Sequence, residues 1–155
     1  MGEQEFIDIV RCNEKVIYKV CSFYVSPKAP MEDLYQEVVV NLWRAWSRFR
    51  GESSPSTWIY RVALNTCISY IRKENKTGRN VPIFEMTELQ ADTEAESRIA
   101  VLYKMINNLN KIEKAVILLY LEDKSYQEIA EITGLTAGNV GVRLNRIKSK
   151  MKSKL

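Results

Sequence analysis

The chain of 155 residues contains no histidine. That single absence excludes Ser–His–Asp and Cys–His catalysis, imidazole general bases and histidine-ligated metal centres. With six glycines and four prolines, the chain is also too poor in turn formers for an all-β design or a glycine-rich dinucleotide loop. The three cysteines, Cys12, Cys21 and Cys67, are odd in number and far apart. They fit neither a disulfide framework nor a zinc motif, so buried reduced thiols are expected, with no metal and no cofactor. No apolar run approaches the ~18 residues that a membrane span requires. The first residues, MGEQEFIDIV, carry acid where a secretory signal carries base, so the expected location is cytoplasmic, without membrane insertion.

What is present is ordinary in amount and uneven in placement. Hydrophobic residues make up 46% of the chain, enough for one packed domain or two very small ones. The net charge is +4, yet residues 1–75 hold ten basic and nine acidic side chains while residues 101–155 hold ten basic and five acidic. From Thr133 to Leu155 there is no acid at all, and Arg143, Arg146, Lys148, Lys150, Lys152 and Lys154 are all basic. A segment of one sign suits a polyphosphate backbone, because each phosphate neutralised releases a counterion. A solvated lysine-rich tail has the same composition, so charge alone does not choose between them.

Apolar spacing reads as helix throughout, and no stretch alternates with the period of a strand. One amphipathic helix is expected from Phe6 to Tyr24, ended by Ser26-Pro27 and Pro30. A second runs from Met31 to Phe49. Its core face is Leu34, Val38, Ala45, Trp46 and Phe49, widened by Val39, Leu42 and Trp43, and its opposite stripe is Asp33, Gln36, Glu37, Asn41, Arg44 and Arg48. The break Arg50–Pro55 is rich in turn residues, and Ser56 or Thr57 caps a third helix reaching about Lys73. Residues 77–97 read as an acidic linker. Beyond it come a helix from Ile99 to Leu109, a very apolar one from Ile112 to Leu121, a short one from Ser125 to Ile132, and a final helix opened by Thr136 or Asn139. The expected fold is therefore all-α, with two small helical domains at 1–76 and 98–155.

The strongest local pattern is Ser125 to Val140, SYQEIAEITGLTAGNV. Gly134 stands where a turn needs positive φ, and Leu135, Val140 and Leu144 pack back beneath the preceding short helix. This is helix-turn-helix logic, whose second helix enters a major groove. Thr136, Ala137, Asn139 and Arg143 then face bases or phosphates, with Arg146, Lys148 and Lys150 further along the backbone. In the first domain, Trp46, Phe49, Trp58, Tyr60 and Tyr70 are interleaved with Arg44, Arg48, Arg50, Arg61, Arg72 and Lys73. Aromatic residues among cations can hold unpaired bases. Trp46 and Trp58, at helical spacing, belong to the core instead. Arg61 and Asn65 share a polar face better suited to an unstacked base. The stripe that begins at Asp33 is acidic at its start and suits a protein partner.

Taken together, DLYQEVVVNLWR (Asp33–Arg44) and FRGESSPSTWIYRVALNT (Phe49–Thr66) resemble the polymerase-binding and promoter-melting domain of a bacterial sigma factor. The helix-turn-helix with VGVRLNR (Val140–Arg146) resembles the duplex-binding domain of the same family, and the short two-domain chain is similar to its extracytoplasmic-function group. The resemblance implies that Asp33, Gln36, Glu37, Asn41 and Arg44 dock on the clamp-helix coiled coil of the polymerase β′ subunit, with the β subunit also a partner. It implies that Arg50, Gly51, Glu52, Ser53, Ser54, Arg61, Asn65, Arg72 and Lys73 hold the unpaired −10 strand. Thr136, Ala137, Asn139, Arg143, Arg146, Lys148 and Lys150 then read the −35 duplex. It also implies an anti-sigma factor as a partner. Three positions depart from the pattern: Pro55 replaces a frequent aromatic, and Gly141 and Val142 stand where relatives carry Lys or Arg and a small polar residue.

Two other functions are compatible with parts of the sequence. A stand-alone helix-turn-helix regulator would use the first domain for sensing or dimerisation. An enzyme would need converging carboxylates, and Asp33/Glu37 is the only tight acid pair on one helix face, too exposed to raise a pKa. The expectation is a non-enzymatic initiation factor that binds core polymerase and promoter DNA.

Overall fold

In the computed structural model, which describes residues 2–76, 101–102 and 104–153, the first amphipathic run is not one helix. It splits at Asn13 into α1 (Glu3–Cys12) and α2 (Glu14–Tyr24). The Asn13 side-chain amide donates to the Ile9 carbonyl at 2.8 Å, and its backbone sits at φ −119°, ψ 17°. Asparagine competes with the helix for its own backbone acceptors, which apolar periodicity does not register. The split lets α2 pack on α3 and α4 while α1 lies on α2 and α3. A tight reversal follows, closed by paired hydrogen bonds between Ser26 and Ala29 at 3.1 and 2.9 Å.

Helix α3 (Met31–Trp46) and helix α4 (Pro55–Lys76) complete the first unit. Leu34, Val38, Leu42 and Trp46 form the buried stripe of α3, opposite Ile59, Ala63 and Cys67 among the buried residues of α4. The helix stops at Trp46 rather than Phe49, because Arg48 and Phe49 bond back three residues to Ala45 and Trp46. Phe49 stays packed all the same, its ring 4.7 Å from that of Trp58 and 5.8 Å from that of Trp46. Trp46 and Trp58 are core residues, as expected. The cap of α4 is Ser54, whose hydroxyl accepts from the Thr57 N–H at 3.2 Å. Pro55 therefore occupies the first helical position, where its missing N–H costs nothing, and the cap falls two residues earlier than the expected Ser56. Cys21 and Cys67 are buried and hydrogen-bonded to one another. Cys12 is exposed, contrary to the expectation for all three thiols.

The second unit is described from residue 101 onward. Helical backbone at 104–107 precedes α5 (Lys111–Leu121), α6 (Tyr126–Thr133) and α7 (Ala137–Ser153). Local devices set four of these boundaries, the starts of α5, α6 and α7 and the end of α6. Asn110/Glu113 and Ser125/Glu128 are reciprocal capping boxes at the starts of α5 and α6. Each such box satisfies two backbone donors that a helix start leaves open. Gly134 ends α6 at φ +81°, and the Thr136 hydroxyl accepts from the Asn139 N–H to open α7. Ile129, Val140, Leu144 and Ile147 are fully buried where α6 and α7 cross. The chain divides into units at residues 1–80 and 81–155. The linker expected at 77–97 and the start of the helix expected from Ile99 lie outside the described residues. Every regular element among the described residues is helical, which gives an all-α fold.

Two glycines of the second unit should respond oppositely to alanine. At Gly134 an added Cβ meets nothing within 4 Å but the backbone is left-handed, so Gly134→Ala should cost about 1–2 kcal/mol. At Gly141 the backbone is helical and the Cβ would touch the Tyr126 ring at 3.4 Å, so Gly141→Ala should stabilise by roughly 0.5–1 kcal/mol. Urea unfolding of the two variants checks both signs.

Candidate functional site

Because Leu34, Val38 and Leu42 face inward, α3 turns one continuous stripe to solvent. It comprises Asp33, Gln36, Glu37, Val40, Trp43 and Arg44, all exposed. Val40 is 42% and Trp43 50% exposed. Trp43 was expected to widen the core. It lies instead beside the core, its ring meeting the edge of Phe6 at 5.0 Å, where the separate helix α1 crosses α3. An apolar groove of about 370 Å³ opens there between Phe6, Ile7, Val40 and Trp43. Asn41 departs from the stripe, being half-buried and donating to the Thr66 hydroxyl of α4 at 3.0 Å. Val40 and Trp43 were missed as surface residues because β-branched and aromatic side chains look like core. Their spacing of seven and ten from Asp33 was the available signal.

The loop after α3 carries Arg50, Gly51, Glu52 and Ser54 exposed and Ser53 half-buried. Gly51 has φ +72°, a conformation glycine adopts without strain. Ser54 is committed to its cap, also donating to the Thr57 hydroxyl at 3.0 Å. On α4, half-buried Arg61 and exposed Asn65 and Arg72 share a face. Lys73 does not join them. It turns into a polar cleft of about 160 Å³ with Glu37, Asn41, Thr66 and Tyr70, facing α3.

On α7 the inward stripe is Val140, Leu144 and Ile147. The outward stripe is Asn139, Val142, Asn145, Arg146 and Ser149, continued before the helix by exposed Thr136. Ala137 and Arg143 are half-buried, and the Arg143 Nε is buried without a hydrogen-bond partner among the described residues. Lys148 donates to the Tyr120 hydroxyl at 3.1 Å and lies 4.4 Å over that ring. The Tyr120 bond holds the Lys148 ammonium above the usual lysine range. Lys150 donates to Glu113 at 3.0 Å. Two cations that charge counting assigns to a free basic tail thus tie α7 to α5.

Glu113 is buried, with its partner Lys150 largely exposed. Burial opposes its ionisation. The Lys150 hydrogen bond, the Asn110 backbone N–H and the charges of Lys150 and Arg143 outweigh that and hold the carboxyl below the usual glutamate range. Its contribution is complete above the ordinary value near ~4.3 and is lost as pH falls through the depressed folded value. The second unit should therefore destabilise on acidification below about pH 4.3. In Glu113→Gln that loss should be shallower, measured by urea unfolding across a pH series.

Among the described residues no cluster of Cys, Asp and Glu could hold a metal ion, and no helix is long and apolar enough to cross a membrane. Residues 9–77 match the family model of sigma-70 region 2, and residues 99–151 match that of sigma-70 region 4. The chain is 30% identical over 147 residues to the ECF RNA polymerase sigma-E factor of Haemophilus influenzae, covering 85% of this chain and 77% of that protein. It is 28% identical over 174 residues to the sigma-E factor of Escherichia coli K12, covering 99% and 88%. Among solved structures, CnrH in complex with the cytosolic domain of CnrY matches with a TM-score of 0.69 at 19% identity, over 98% of this chain and 88% of that one. The sigma factor RpoE in complex with the anti-sigma factor NepR from Bartonella quintana matches at 0.68 and 20% identity, over 97% and 94%. A region 2 match across the first unit removes the sensor domain that a stand-alone regulator would need there. With two regions in sigma-factor order and relatives matched over most of its length, the chain belongs to the extracytoplasmic-function (ECF) family of RNA polymerase sigma factors.

Proposed function

We propose that the first domain, residues 1–76, docks on core RNA polymerase through the exposed stripe of α3. The observation that carries this is the composition of that stripe: acid at Asp33 and Glu37, then Val40, Trp43 and Arg44, all exposed opposite a fully buried face. A tryptophan and an arginine beside an apolar groove make the kind of anchor that dominates protein interfaces. The acids supply charge complementarity to a basic surface on the β′ clamp helices. Asn41 orients α3 on α4 through Thr66 and contributes to docking at the edge of the stripe. The β subunit is a further contact surface.

The loop from Arg50 to Ser54, with Arg61, Asn65 and Arg72 on α4, holds the unpaired −10 strand. Arginines follow the phosphates and Asn65 offers a bidentate edge to an extruded base. Lys73 adds charge from the neighbouring cleft. Residues 98–155 read the −35 duplex with α7: Thr136, Ala137 and Asn139 at its start, then Arg143 and Arg146. Lys148 and Lys150 set the seat of α7 on α5 and add positive charge behind the reading face. The stretch 77–97 joins the domains. The protein works by binding alone, in the cytoplasm. An anti-sigma factor holds it inactive, a reading supported by the complex of the structural neighbour RpoE with the anti-sigma factor NepR.

Size-exclusion chromatography with core polymerase tests the central claim. One-to-one co-elution is expected, and free elution beside polymerase competent for another sigma factor would overturn it. Replacing Asp33 and Glu37 with Lys should abolish co-elution, and Trp43→Ala should weaken it at least tenfold, the ~1.4 kcal/mol or more expected of a buried anchor. Arg146→Ala should leave co-elution intact, weaken −35 duplex binding and lower its salt slope by about 1.

A further inference from the structure

The outward stripe of α7 contains one apolar side chain. Val142 is 48% exposed, with Asn139 one turn before it and Asn145 and Arg146 one turn after, all exposed. The lobe does not need valine at this position. The buried stripe is Val140, Leu144 and Ile147, and a β-branched residue lowers helix propensity in a stretch already weakened by Gly138 and Gly141. Gly138, one turn earlier, is exposed and has nothing within 4 Å of where a Cβ would stand. The two Val142 methyls therefore project from the stripe without a taller neighbour on that side.

A lone exposed valine is common on protein surfaces. Its company is what gives this one a ligand chemistry. Asparagine pairs with the adenine edge, arginine with the guanine edge, and an aliphatic methyl with the 5-methyl of thymine, the one apolar feature of the major groove. Asn139, Asn145, Arg146 and Val142 thus supply one side chain type for each of three bases, on one face of one helix. We propose that Val142 is a specificity-determining residue that packs against the 5-methyl group of a thymine in the −35 duplex. The inference rests on the reading of α7 as the duplex-binding helix and adds the base that this chain selects.

The test uses the full chain bound to core polymerase. Duplexes are first selected from a randomised 20-base-pair pool, and each thymine of the best duplex is then replaced in turn by deoxyuridine, which removes only the methyl group. At one position the replacement should weaken binding by the wild-type chain about fourfold, the fold-change expected for one buried methyl. Val142→Ser should weaken the unmodified duplex to a similar extent and become indifferent to uridine there. Val142→Thr, which keeps one γ-methyl, should restore part of the discrimination. A residue with only a structural role would weaken all duplexes alike and would show no such coupling. A selected duplex with no uridine effect that depends on residue 142 overturns the proposal while leaving α7 as the duplex-binding helix. If no duplex is enriched, or if Arg146→Ala binds the selected duplex unchanged, the reading of α7 itself fails, and the proposal with it.

Discussion

Burial of Leu34, Val38 and Leu42, none of them exposed to any extent, fixes the rotation of α3 about its axis. Each such side chain contributes roughly 1.5–3 kcal/mol on leaving water. Turning the helix by one residue, 100°, would drive Asp33 or Glu37 toward the core and uncover leucine. The surface that α3 offers a partner is therefore dictated by what it buries. The same constraint places Trp43. It stands beside the core stripe, half exposed, with its ring against that of Phe6, a contact made by α1 crossing as a helix separate from α2. A continuous helix through Tyr24 could not have bent to make that contact.

The second unit solves a harder problem, since a unit of this size has little core to spend on stability. It relies on short-range devices: two capping boxes, the left-handed Gly134 and the Thr136 cap. Glu113, its one buried carboxylate among the described residues, serves twice, accepting from the Asn110 N–H at the start of α5 and from Lys150 near the end of α7. Together with Lys148 over Tyr120, this ties the last turns of α7 to α5 on the side away from Asn139, Val142 and Arg146. Ion pairs with one exposed partner are weak sources of stability. Their use here is directional, because they set which face of α7 remains outward.

The fold was legible where periodicity was long and end signals were strong. The start of α3 at Met31 could be assigned closely from the apolar spacing after Pro30, and the pattern from Ser125 to Val140 from spacing and caps together. Where one side chain overrides the pattern, the sequence misled. Asn13 breaks a run that its apolar neighbours would continue, and Ser54 captures a cap ahead of Pro55. For the candidate sites, charged residues could be assigned to exposed faces readily because they stand out against the core. Val40 and Trp43 were not, since an apolar residue reads as core until the rotation of its helix is known. Lys148 and Lys150 erred in the other direction, since nothing in a count of charges reveals a partner such as Glu113 far away in the chain.

Gly141 shows how one such position separates affinity from selectivity. The family resemblance implies a cation there, one residue before Val142. In this chain the Tyr126 ring lies 3.4 Å from where its Cβ would be, so a long side chain would have to leave along the ring. A cation at that place would add a phosphate contact, which strengthens binding to any duplex equally. Under the proposed reading of α7, its outward face without that cation depends more on Asn139, Val142, Asn145 and Arg146, whose amide, methyl and guanidinium groups would match base edges. Losing a sequence-independent contact while keeping base-directed ones lowers affinity for all DNA by the same factor and leaves the ratio between right and wrong sites to the base-directed groups. That ratio, multiplied by the number of competing sites, decides where such a protein acts.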